Sequence, residues 1–64
     1  MAGEPMLLTV KQAARLLSVS APLVYRLVHE GQLPLVKIGN ASRIPRRALE
    51  DLVERLAERG WERE

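Results

Sequence analysis

The chain has 64 residues, no cysteine and a formal net charge of +2. A domain of this size hides only about 60% of the surface its unfolded chain exposes, which leaves little scaffold for a deep catalytic cleft. The absence of cysteine excludes disulfides and thiolate metal sites.

No apolar run approaches the roughly 20 residues of a membrane span, and the first residues lack the apolar centre of a signal peptide. A cytoplasmic protein without a membrane partner is the expectation. The charge is unevenly spread. Residues 1–47 carry seven basic and two acidic side chains, a net +5, whereas residues 48–64 carry three basic and six acidic, a net −3. A basic body with an acidic end fits a polyanion on one side and solvent or a partner on the other, or else a scatter of solvating charges.

In chain order, residues 1–7 read as a flexible leader, although Leu7-Leu8 is either a short strand or a hydrophobic lead-in. Thr9 and Gln12 have the spacing of a capping box, with Leu8 before the cap and able to staple onto Ala13. Val10, Ala13, Ala14 and Leu17 then keep the i, i+3, i+4, i+7 spacing of one buried helix face. Lys11, Gln12 and Arg15 face outward. Ser18-Val19 is a tight turn, with Val19 expected between two helices.

Ser20 is a suitable N-cap for the next helix, and Pro22 falls in its first turn, where a missing N–H does no harm. Ala21, Val24, Leu27 and Val28 share the inner face; Pro22, Arg26 and His29 share the outer one, with Tyr25 on the shoulder. Gly31 suits the residue just past this helix. Two helices joined by so short a turn must cross steeply. That is the helix-turn-helix arrangement, whose second helix enters the major groove of DNA.

Beyond Gly31, Val36 and Ile38 alternate with Leu35 and Lys37, Gly39-Asn40 suits a tight turn, and Ser42-Arg43-Ile44 returns. This predicts a small β-hairpin bounded by Pro34 and Pro45. From Ala48 a last helix carries Leu49, Leu52, Val53 and Leu56 in one stripe, expected to be core. Gly60 fits the position after its end, and Trp61 is expected over Leu56. The predicted fold is mainly α with a small β-hairpin, in the order helix, helix, hairpin, helix.

Several motifs occur together here: Ala13-Ala14-Arg15-Leu16-Leu17-Ser18-Val19-Ser20, Val24-Tyr25-Arg26-Leu27-Val28, Gly31-Gln32-Leu33-Pro34, Val36-Lys37-Ile38-Gly39 and Arg43-Ile44-Pro45-Arg46. In this order, from Leu8 to about Leu56, they resemble the excisionase-type, MerR-like winged helix-turn-helix family. The resemblance implies a bacterial or phage DNA-binding protein. Its recognition helix (residues 20–30) would enter the major groove, and its wing (residues 35–44) would follow phosphates into the adjacent minor groove. It also implies a role as an excisionase (a recombination directionality factor) or architectural factor, with transcription regulation as the alternative. Double-stranded DNA is then the partner, with an integrase or recombinase and cooperative self-association on DNA as further possible partners. The domain would run over residues 8–61, with 62–64 a frayed tail. Three departures stand out: Ser18 replaces a usual glycine, Ala21-Pro22-Leu23 opens a helix that usually starts polar or basic, and Asn40-Ala41-Ser42 forms a wing tip that is often basic with an aromatic.

Under this resemblance the candidate DNA-contacting residues are Lys11, Ser20, Tyr25, Arg26, His29, Lys37, Asn40, Ser42, Arg43 and Arg46. Arg26 is a guanine reader, a phosphate clamp or a solvated arginine. Tyr25 reaches a phosphate or rests on the core. His29 makes a weak DNA contact or faces solvent, since no second metal ligand lies in reach. Arg46 and Arg47 sit at a helix N-terminus, where the macrodipole disfavours cations, so a compensating phosphate is a natural partner. No catalytic constellation, metal spacing or cofactor loop is present, so no enzyme activity and no cofactor are expected. A reading from another class keeps the fold but has it bind a protein through Pro22, Leu23 and Tyr25.

Overall fold

The computed structural model describes residues 6–60. Strand β1 (Leu7–Leu8) leads into helices α1 (Val10–Leu17) and α2 (Ala21–His29); strands β2 (Val36–Ile38) and β3 (Ala41–Pro45) follow, and helix α3 (Arg46–Gly60) ends the fold. The sheet order is β1-β3-β2, antiparallel throughout. Leu7-Leu8 is therefore a strand, and it makes the predicted hairpin a three-stranded sheet. The architecture is a mainly α winged helix-turn-helix. No helix among the described residues is long and apolar enough to cross a membrane.

Local chemistry fixes the ends of the first two helices. The Thr9 hydroxyl accepts the Gln12 N–H at 3.0 Å, and the Gln12 side-chain oxygen accepts the Thr9 N–H at 2.9 Å. This is the capping box read from the sequence. At the other end of α1, Ser18 stands at φ 60°, ψ 41°, the one non-glycine residue at positive φ among those described. Its N–H donates to the Arg15 carbonyl at 3.2 Å, and the Val19 N–H to the Ala14 carbonyl at 3.0 Å. Helix α2 ends the same way. Gly31, at φ +80°, donates to the Val28 carbonyl at 3.1 Å, and Gln32 donates to the Leu27 carbonyl at 2.8 Å. Both pairs are Schellman closures, which need a left-handed residue just past the helix. Glycine supplies it after α2, and a strained serine supplies it after α1.

The core gathers Leu8, Val10, Ala13, Ala14, Val24, Leu33, Ile44, Leu49 and Leu52. Ala13 and Ala14 are buried, so another element can approach α1 closely. Leu17, Val19, Ala21, Leu27 and Val28, expected on inner faces, pack around this centre half-buried.

In the sheet, Leu8 pairs with Ile44, and both are buried. Side chains alternate between faces along a strand, so Ser42 and its partner Lys37 continue the Ile44 face, together with Leu35, which packs on the core. The apolar Val36 and Ile38 belong to the opposite face, with Arg43 and Ala41. Ile38 is 54% exposed. Gly39-Asn40 makes a two-residue turn with Gly39 at φ +63°, the glycine-first pattern of a type II′ hairpin.

The last helix departs most from expectation. It begins at Arg46, two residues before Ala48, because the Arg46 N–H donates to the Met6 carbonyl at 2.9 Å and extends the β1–β3 pairing into the first turn. It also runs through Gly60, which is the helix's last residue and not the one beyond it. The expected Trp61 contact, the leader up to residue 5 and the tail after residue 61 lie outside the described residues. The stripe on α3 is only half core. Leu49 and Leu52 are buried, but Val53 is 48% and Leu56 45% exposed. Val53 adjoins the buried Leu52 in the same turn, so the body reaches this part of the helix, and Val53 and Leu56 flank the packed line instead of lying on it. Val53 and Leu56 border an open apolar trough of about 520 Å³, shared with Leu17, Leu23 and Leu27.

The strained turn yields a stability prediction. A left-handed conformation costs a non-glycine residue about 1–2 kcal/mol, and glycine returns about 0.5–1 kcal/mol of that through its greater unfolded freedom. Ser18→Gly is expected to stabilise the fold by about 0.5–1 kcal/mol. It should raise the urea midpoint without changing the slope. An unchanged or lowered midpoint would show that the serine side chain matters more than its backbone.

Candidate nucleic-acid interface

The outward face of α2 is built by its own caps. Ser20 takes extended backbone angles, and its hydroxyl accepts the Leu23 N–H at 3.4 Å, with Pro22 in the first turn. Val24 is fully buried, which fixes the rotation of the helix and turns Pro22, Tyr25, Arg26 and His29 to solvent. Tyr25 is 54% exposed, so its ring is not a core element. Arg26 and His29 lie one turn apart on the same side. The Arg26 Nε sits 3.5 Å from a carboxylate oxygen of Glu30, a neighbour not included among the sequence candidates although its i+4 spacing was legible.

The wing divides its polar residues between two faces. Lys37 lies directly across from Ser42, on one side; Arg43 lies across from Val36, on the other. Asn40 is exposed at the tip. Arg43 is half-buried, and its Nη1 donates to the Ser42 carbonyl at 2.9 Å, which holds the guanidinium along its own strand.

The remaining candidates lie elsewhere. Lys11 is exposed on α1. Arg46 pairs with Glu50 at 3.4 Å. It shares a shallow depression of about 320 Å³ with Leu8, Gln12, Arg15 and Leu16. Sequence reading missed Arg15 as a companion of Arg46; only the approach of α3 to α1 brings them together. Arg55 is tied down, donating to the Gln32 carbonyl at 3.2 Å and so fastening α3 to the loop after α2.

The structure thus gathers Tyr25, Arg26 and His29 on one helix face, places Lys37, Asn40, Ser42 and Arg43 around the hairpin, and sets Arg46 beside α1. Exposed carboxylates of Glu50, Asp51, Glu54 and Glu58 lie along α3. No polar side chain is buried among the described residues, and no group of three or more potential metal ligands forms there. The arrangement can present hydrogen-bond donors and positive charge to an extended polyanion.

Comparison with known proteins points the same way. A family model described as a helix-turn-helix domain matches residues 7–57. A Mycobacterium tuberculosis (H37Rv) protein named "Putative DNA-binding protein" is 48% identical over 52 residues, covering 81% of this chain and 67% of the relative. A "Probable excisionase" of Saccharopolyspora erythraea is 44% identical over 50 residues, 78% of this chain and 51% of its own length. An uncharacterized protein of Mycobacterium bovis is 49% identical over 43 residues, 67% of this chain and 38% of the relative. The chain thus spans about half the length of the excisionase it resembles.

Proposed function

The chain belongs to the helix-turn-helix domain family, and from that premise we propose that it binds double-stranded DNA as an excisionase or architectural factor. In this reading residues 20–30 enter the major groove, while the wing, residues 35–44, follows the phosphates toward the minor groove. One observation carries it: the two-residue turn and the buried Val24 set α2 so that Tyr25, Arg26 and His29 form an exposed donor-rich face. The resemblance to a named excisionase supports the recombination role over transcription regulation. An integrase or recombinase is then the expected protein partner, and the cytoplasm the expected compartment.

In this reading the protein is a monomer in free solution. It loads cooperatively onto repeated sites, the acidic segment 48–64 of one copy meeting the basic side of the next. A transcription regulator of the same fold would instead occupy one operator as a dimer. The exposure of Pro22 and Tyr25, with Leu23 bordering the apolar trough, is what favours a protein-binding reading. Salt separates the two, because contacts to phosphates release counterions and apolar contacts do not.

If Lys11, Arg26, Lys37, Arg43 and Arg46 each touch a phosphate, the log–log salt slope should be about −4 to −5. If Arg26 instead reads a guanine, Arg26→Ala should cost about 1–3 kcal/mol and relax preference at one base pair. Arg43→Ala should weaken all sequences alike and flatten the slope by about one. A slope near zero would refute nucleic-acid binding. Equal losses on random and selected DNA for Arg26→Ala would make Arg26 a phosphate clamp and shift specificity to DNA shape.

A further inference from the structure

Glu30 is poorly placed for the dipole of its own helix. It caps the carbonyl end of α2, with φ −82° and ψ 0°, where the macrodipole repels an anion. It follows Arg26 by four residues, the weaker order for an ion pair on a helix. It is also exposed on the same side as Arg26, the side that meets phosphates if α2 lies in a groove. An exposed pair of this kind adds little to stability. Its consequences are orientation and local charge.

The geometry shows what it orients. The Glu30 carboxylate approaches Arg26 through Nε, at 3.5 Å. An approach on the Nε side suits a guanidinium whose terminal amino groups fork onto O6 and N7 of guanine. The same carboxylate sets a negative charge beside any phosphate that Arg26 would otherwise clamp. We propose that Glu30 is a specificity-determining residue, which holds Arg26 for base reading and disfavours its use as a phosphate contact. Resting on the DNA-binding reading above, the inference assigns a repulsive element to that site. Specificity commonly needs such an element alongside the attractive one.

The test is selection of duplexes from a random-sequence library by the full chain, its Glu30→Ala and Arg26→Ala variants and the double variant, with affinity for unselected library DNA measured in parallel. Glu30 is exposed at a helix end, so its replacement should leave the melting temperature close to that of the wild type. Glu30→Ala is expected to lower preference about tenfold at the same base pair that Arg26→Ala relaxes, while affinity for unselected DNA rises. In the double variant, Glu30→Ala should add no further loss at that base pair. Undiminished preference in Glu30→Ala would overturn the inference, as would a loss at a different base pair, which would make Glu30 a reader itself. A wild type that binds DNA without base preference would also overturn it. A wild type whose binding ignores salt fails the DNA reading instead, a distinct result.

Discussion

The fold depends on a two-residue connection closed by a serine in a glycine's conformation. Between the last turn of α1 and the N-cap of α2 there is room only for Ser18 and Val19. The left-handed Ser18 lets two successive N–H groups turn back onto the Ala14 and Arg15 carbonyls. That closure points the chain away from α1, drops half-buried Val19 against the core and delivers Ser20 ready to cap. With Val24 buried below, the rotation of α2 is fixed, and its polar face follows from that rotation. The strain at Ser18 sits where the geometry most needs to be held, a common place for stored backbone strain.

The wing is held by a second device. β3 lies between β1 and β2, and its end passes directly into α3 through the Arg46 bond to the Met6 carbonyl. One short strand thus links the N-terminal segment, the hairpin and the final helix. Isolated hairpins are marginal; this one gains a third strand of only two residues and a buried Leu8–Ile44 pair. The hairpin and α2 are joined by the loop after Gly31, which Arg55 pins from α3.

Features set by neighbouring residues were legible in the sequence. The Thr9–Gln12 box, the Ser20 cap with Pro22, the Gly31 closure and the Gly39-Asn40 turn each depend on residues no more than three positions apart, and each formed. Features set by distant packing were not legible. Alternation alone cannot say which strand face turns inward, and the apolar Val36 and Ile38 lie on the face opposite Leu35 and Ile44. The periodic stripe on α3 was visible, but which part of its width faces the body was not, so Val53 and Leu56 are exposed where core was expected, beside a buried Leu52. At the candidate interface, the outward turn of Arg26 and His29 followed from helix periodicity. The separation of Lys37 from Arg43, and the company Arg15 keeps with Arg46, required the register and the docking of α3.

The central claim is that nucleic acid meets the α2 face and the wing, leaving the apolar trough beside α3 uninvolved. Titration of an isotopically labelled full chain with a short random-sequence duplex, followed by backbone amide chemical shifts, tests this residue by residue. The account predicts that the largest changes fall within residues 20–30 and 35–44, with little change along the acidic side of α3. Changes centred on Leu17, Val53, Leu56 and Ala57, trough residues outside both ranges, would contradict it.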